Sequence, residues 1–153
     1  MIPYESVLDL IGNTPLVDVS RLSPNPNVRI IAKLENQNPF GSVKDRIAKA
    51  MVEDAEKHGR LMPGQTIVEP SSGNTGIALA AIAQIKGYPI KILMPTSVSI
   101  ERRQMLDIFG AEVILTPGEE GSNGAVARAI EMAKQNPDWC FLYQYANDAN
   151  ARA

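Results

Sequence analysis

The 153-residue sequence predicts an α/β fold, an open parallel sheet with helices on both faces. Three observations carry that expectation. Short β-branched runs alternate with stretches of helical period, the connections between them are short, and the helical stretch from Asn74 to Lys86 is almost free of charge. A helix without a polar face needs cover on more than one side, and a layer between a sheet and another helix provides it.

Taken in order, the first 40 residues are punctuated by Pro3, Pro15, Pro24, Pro26 and Pro39. They offer a short helix candidate near Glu5 to Leu10, an extended piece at Leu16 to Val19, and a turn at Asn25-Pro26-Asn27. Five strands are expected, at Arg29 to Leu34, Thr66 to Val68, Ile90 to Met94, Val113 to Leu115 and Trp139 to Tyr143. From Val43 to His58, Ile47, Met51 and Ala55 recur every four residues, charged residues take the other faces, and Gly59 stops the helix. Gly87 closes the alanine-rich helix. Ser99 and Ser122 are expected as N-caps of two further helices, and the crossovers are expected to be right-handed.

Composition narrows the function. Fifteen Lys and Arg against 17 Asp and Glu give a net charge of −2, so no basic field is available for nucleic acid or an anionic membrane. No run of about 18 apolar residues occurs, and residues 1–25 lack a basic segment followed by a long apolar one, so a soluble cytoplasmic protein without a membrane partner is expected. The single cysteine, Cys140, allows no intrachain disulfide, and the single histidine, His58, leaves too few ligands for a zinc site or a Ser-His-Asp triad. No metal is expected, and catalysis has to use lysine, hydroxyls, amides or a cofactor.

Two segments offer those groups. In Gly41-Ser42-Val43-Lys44-Asp45-Arg46 one lysine opens a helix, where the macrodipole places roughly +0.5 charge and disfavours an ammonium. Lys44 therefore has two readings, a solvated lysine paired to Asp45 or Glu69, or an amine activated for attack on a carbonyl. In Ser71-Ser72-Gly73-Asn74-Thr75-Gly76, hydroxyls, an amide and free backbone N–H groups meet at a helix mouth. That loop is either an anion cradle or a turn capped by Ser72 or Asn74, with a positive φ at Gly73. It has neither the P-loop ending nor the dinucleotide glycine spacing.

Other residues have plainer readings. His58 suits a helix C-terminus, Cys140 a buried strand, Glu119-Glu120 a solvated turn and Arg102-Arg103 an exposed helix face. Tyr143 and Gln144 alternate, so they are expected to face opposite ways.

The segments Gly12-Asn13-Thr14-Pro15-Leu16, Asn38 to Arg46, Ser71 to Gly76, Met94-Pro95 with Glu101-Arg102-Arg103, and Gln144-Tyr145 together resemble cysteine synthase. That is a pyridoxal-phosphate family of the tryptophan-synthase-β type (fold type II), and the likeness runs in the same order along nearly the whole chain. Ser99 to Gln104 and Gly121-Ser122-Asn123 look most like the B-type enzymes, and cystathionine β-synthase shares much of the pattern. The resemblance implies pyridoxal 5'-phosphate as cofactor, held by Lys44, which also moves protons at the substrate Cα. It implies Asn74 against the 3′ oxygen of the pyridine ring, and Ser71, Ser72, Thr75 and Gln144 against the substrate carboxylate. The implied reaction is β-replacement, in which an O-activated serine (O-acetyl or O-phospho) and sulfide give cysteine.

By the same likeness the full family chain is about twice as long, and the glycine- and threonine-rich loop that grips the cofactor phosphate belongs to its later half. Residues 1–38 are implied as an arm on that half, and residues 39–150 as a small βαβ domain carrying the lysine and the carboxylate loop. A homodimer and a serine acetyltransferase partner are implied for the complete enzyme. Two alternatives stand beside this reading: a catalytically silent fragment, or a cystathionine β-synthase-like use of homocysteine. Exposed apolar surface on the alanine-rich helix is expected to drive association if the second half is absent.

Overall fold

A computed structural model describes residues 3–153; the first two residues of the arm lie outside that range. Four strands form one parallel sheet: β3 (Ile67–Pro70), β4 (Ile90–Pro95), β5 (Glu112–Thr116) and β6 (Cys140–Phe141), in spatial order β5-β4-β3-β6. Between β3 and β4 runs α2 (Asn74–Lys86), between β4 and β5 α3 (Ile100–Ile108), and between β5 and β6 α4 (Gly121–Gln135). Ahead of the sheet lies α1 (Lys44–Lys57), and behind it α5 (Asp148–Arg152).

Strand alternation sorts the core into two layers. Ile67, Ile90, Ile92 and Met94 pack with α1, α2 and Leu106 of α3, whereas Val68 and Leu93 pack with Ala125 and Ala129 of α4. Both faces of the sheet are thus covered, as parallel sheets require. Eight of the 13 residues of α2 are buried, half of them alanines, which lets it lie between the sheet and α1. It ends at Gly87, whose φ of 78° is a left-handed cap that glycine adopts without a Cβ clash. Most of the expected apolar face on this helix is therefore covered from within, and Ile85 near its end stays exposed. Further exposed apolar side chains lie on the arm, at Leu16, Val17, Leu22, Val28, Ile30 and Ile31, and on α3, at Ile100, Met105 and Ile108.

The arm departs from one expectation. The strand expected at Arg29 to Leu34 is β2 (Ile31–Lys33), which pairs antiparallel with β1 (Leu16–Asp18) and takes no place in the parallel sheet. Periodicity identified the extended segment but not its partner. Ile30 and Ile31 are exposed, unlike the doubly covered strands of the central sheet. The helix candidate near Glu5 is a single 3-10 turn, Val7–Leu10, closed by a capping box between Ser6 and Asp9.

Cap assignments shift as well. Ser99 occupies the cap position of α3, yet its side chain makes no capping bond. Ser122 lies inside the first turn of α4, because the 3-10 turn Gly118–Glu120 runs straight into the helix at Gly121. No helix among the described residues is long and apolar enough to cross a membrane.

Candidate active site

Strand order reverses at β3. The chain proceeds from β3 to β4 to β5, then returns through α4 to place β6 on the other side of β3. The crevice outside the carboxyl ends of β3 and β6 is the switch point at which ligands bind in open α/β sheets. Two segments leave the sheet there: the Ser71 to Thr75 loop after β3 and the Tyr143-Gln144 segment after β6. A cleft of about 290 Å³ lies between them, lined by Lys44, Ser71, Ser72, Asn74, Thr75 and Gln144, together with Arg102. All six residues singled out for the site therefore share one cleft. A larger hollow of about 460 Å³ beside Asp54, Arg60 and Arg152 has no such set of hydroxyls and amides.

The β3 loop is shaped by Ser71. Its Oγ accepts the N–H of Gly76 at 2.9 Å and that of Gly73 at 3.4 Å, so Ser71 binds the free N–H groups of the α2 start in place of Ser72 or Asn74. Gly73 has φ −140° and ψ −153°, extended backbone rather than the expected positive φ. A Cβ at Gly76 would come within 3.2 Å of the Ser71 side chain, which is why the loop closes this tightly on a glycine. With both lone pairs engaged, the Ser71 hydroxyl keeps its proton for an external acceptor. Ser72, Asn74 and Thr75 make no side-chain hydrogen bond among the described residues, which leaves their polar ends available to the cleft. The capped-turn reading accounts for Ser71 alone.

Lys44 is the first residue of α1, exposed, and paired to neither Asp45 nor Glu69. Its backbone is well anchored: the Lys44 N–H donates to Ser42 Oγ at 3.1 Å, and the Ser42 hydroxyl donates to Asp45 at 3.3 Å. Asp45 also accepts the Phe40 N–H at 2.7 Å; burial pushes its carboxyl above the usual range, against the pull of that bond.

Behind this turn, Arg46 grips Glu35 through Nε at 2.8 Å and Nη2 at 3.0 Å, and Nη2 also reaches Thr14 at 3.1 Å. Asn38 accepts the Gly12 N–H at 2.9 Å and donates to the Ser42 carbonyl at 3.0 Å. The Gly12 to Leu16 and Asn38 to Arg46 segments are thus one network that braces the lysine turn. Hydrogen bonds from Arg46 and Thr14 hold the Glu35 carboxyl down at about 2.

Sequence reasoning missed one residue that lines the cleft and one buried behind it. Arg102, read as part of an exposed helix face, donates to the Ser72 carbonyl at 2.8 Å and lines the cleft. Glu69, considered only as a partner for Lys44, is fully buried at the end of β3 and accepts the N–H groups of Tyr143 at 2.7 Å and Gln144 at 2.9 Å. Burial pushes its carboxyl up to about 7 despite those two bonds. The signal available was a carboxylate inside an otherwise apolar strand. His58 and Cys140 keep their structural readings, one bonded to the Asp54 carbonyl at 2.8 Å at the end of α1, the other buried with its thiol pushed up to about 11.

Known proteins match this arrangement along nearly the whole chain. A cysteine synthase of a Flavobacterium species (strain K3-15) is 48% identical over 149 residues, covering 97% of this chain and 48% of its own. A cysteine synthase of Staphylococcus aureus (strain Mu50) is 46% identical over 148 residues, covering 97% and 47%. Among solved structures, an O-ureido-L-serine synthase superposes with a TM-score of 0.93 at 42% identity, covering 99% of this chain and 47% of its own. The cysteine synthase of Entamoeba histolytica superposes with 0.92 at 42% identity, covering 97% and 46%. The chain spans about half the length of the curated relatives it matches. The family model described as pyridoxal-phosphate dependent enzyme matches residues 7–153, and the chain belongs to that family.

Proposed function

We propose that this chain is the N-terminal half of a cytoplasmic cysteine synthase, which joins O-acetyl- or O-phospho-L-serine and sulfide into L-cysteine with pyridoxal phosphate as cofactor. The observation that supports it is the convergence of Lys44, the four polar residues of the Ser71 to Thr75 loop, and Gln144 on one cleft at the switch point. The residues present suit the cofactor: an exposed amine at the mouth of α1 faces the same cleft as an uncommitted amide, Asn74. Lys44 would hold the cofactor, Asn74 would bond its ring oxygen, and the phosphate grip would come from the second half. When bound, the cofactor supplies an electron sink for charge developing at the substrate Cα.

The chain's own residues do the rest. Ser71 donates its remaining proton to the substrate carboxylate, joined by Ser72, Thr75 and the Gln144 amide, at the positive end of α2. Arg102 holds the Ser72 carbonyl and so steadies the loop from the α3 side. The Lys44 amine takes the proton from Cα and returns it, while acetate or phosphate leaves Cβ and sulfide adds there. Residues 1–38 are assigned as an arm whose exposed apolar side chains pack on the second half, and residues 39–150 as the small domain. The complete enzyme is assigned as a homodimer that docks a serine acetyltransferase.

Incubation with pyridoxal phosphate, borohydride reduction and peptide mass spectrometry test the reading beside a Lys44→Ala control. One adduct confined to Lys44 is expected. Scattered labelling of surface lysines, or none, would reject Lys44 as a formed half-site and favour a silent fragment.

A further inference from the structure

The ladder between β3 and β6 is only two residues long, with Ile67 opposite Cys140 and Val68 opposite Phe141. Beyond it the β6 chain leaves the sheet, and its backbone donors lose the partners that strand pairing would have supplied. At that point Glu69 intervenes. Its side chain, fully buried, takes the Tyr143 N–H on Oε2 at 2.7 Å and the Gln144 N–H on Oε1 at 2.9 Å. No lysine or arginine pairs with it among the described residues, so these two bonds, joined by the Gln144 side chain, are what offsets the removal of a carboxyl from water.

Two further features show that the segment is held rather than relaxed. Tyr143 has φ 50°, a left-handed conformation unfavourable for a residue with a Cβ and kept only when its surroundings enforce it. The Gln144 side chain is fastened in turn: its Nε2 donates to the Pro70 carbonyl at 3.2 Å, and the Gln144 backbone carbonyl accepts from Asn150 at 2.8 Å. Glu69 thus links the end of the strand that launches the Ser71 to Thr75 loop to the backbone of the residue facing that loop across the cleft.

We propose that Glu69 is a positioning residue: its buried carboxyl clamps the Tyr143 and Gln144 backbone and so sets the Gln144 side chain against the carboxylate cradle. The proposal rests on the reading of the cleft as a substrate-carboxylate site, and it assigns Glu69 no contact with substrate or cofactor. An apolar residue of similar size would suit a fully buried strand position equally well for packing, but it would leave both N–H groups without an acceptor.

Two variants separate positioning from bulk stability. Glu69→Leu removes both acceptors while keeping an apolar strand, and Glu69→Gln keeps one acceptor oxygen. Amide hydrogen exchange by NMR on the 153-residue chain reads the clamp directly. In Glu69→Leu, exchange at Tyr143 and Gln144 is expected to speed up by roughly tenfold or more, with Leu79 and Ala80 of α2 unchanged. Glu69→Gln should fall between that variant and the wild type.

L-cysteine, titrated while the Ser71 to Thr75 amides are followed, reads the consequence. Its affinity is expected to fall about tenfold in Glu69→Leu and less in Glu69→Gln. Wild-type exchange at both amides in Glu69→Leu, a uniform rise that includes α2, or unchanged affinity in both variants would overturn the proposal. A wild-type chain that gives no response to L-cysteine would instead overturn the carboxylate reading of the cleft, and the exchange pattern would then decide the clamp alone.

Discussion

Replacing Glu69 with glutamine is expected to change how stability depends on pH. The wild-type carboxyl is raised from an ordinary 4.5 to about 7 by burial. In the unfolded chain it ionises near 4.5, so between the two values the folded state keeps a proton that the unfolded state has lost. Folded protein binding more protons means that stability falls as pH rises. Below 4.5 both states are protonated and Glu69 carries no ionisation penalty; above about 7 both are ionised and the penalty is complete.

At 1.36 kcal/mol per pKa unit the full effect is about 3 kcal/mol, of which about 2.5 kcal/mol develops between pH 5 and pH 8. Glutamine does not titrate. The difference in unfolding free energy between variant and wild type, from urea curves at pH 5, 6, 7 and 8, should therefore move by about 2–3 kcal/mol in favour of the variant as pH rises. The absolute offset at pH 5 reports the lost second acceptor and is not part of the test. A difference constant with pH to within about 0.5 kcal/mol, or one that moves the other way, would refute the argument that desolvation outweighs the two N–H bonds.

Other consequences follow from the same contacts. Leu79→Ala, in the buried centre of α2, should cost about 2–5 kcal/mol in urea unfolding, because α1 and the sheet cannot both collapse onto the cavity. Ser71→Ala removes the acceptor for the Gly76 and Gly73 N–H groups; a loss of about 1–2 kcal/mol in stability and weaker L-cysteine binding are expected, and unchanged values of both would reject its double role. Glu35→Gln should make acid unfolding shallower. The Glu35 carboxyl is held at about 2 against 4.5 in the unfolded chain, so its contribution is complete above 4.5 and fades as pH falls through 2; circular dichroism between pH 6 and 1.5 checks this.

Much of the fold was readable because its signals are local. The period-four apolar stripe of α1, the uncharged stretch of α2 with Gly87 at its end, and the β-branched runs of β4 and β5 lie where their patterns put them. Strand partnership is not local. Nothing in Arg29 to Leu34 states that it pairs with Leu16–Asp18, since an extended, apolar-rich segment looks alike in either sheet until its neighbours are known. Caps failed for a related reason: Ser71, Ser72 and Ser122 are all good capping residues, and the path of the preceding chain decides which hydroxyl meets a free N–H.

The candidate site divides along the same line. Residue chemistry pointed from the sequence alone to an amine at a helix start and to a loop rich in hydroxyls and amides, whereas Gln144 entered the site only through the family resemblance. Their meeting in one cleft depends on α4 carrying the chain back across the sheet, a separation of 75 residues between Glu69 and Gln144 that no local pattern encodes. Tertiary structure alone also showed the contacts of Glu69 and Arg102. Each acts on a backbone group of a distant segment, and a backbone N–H or carbonyl carries no residue identity by which the sequence could have announced the contact.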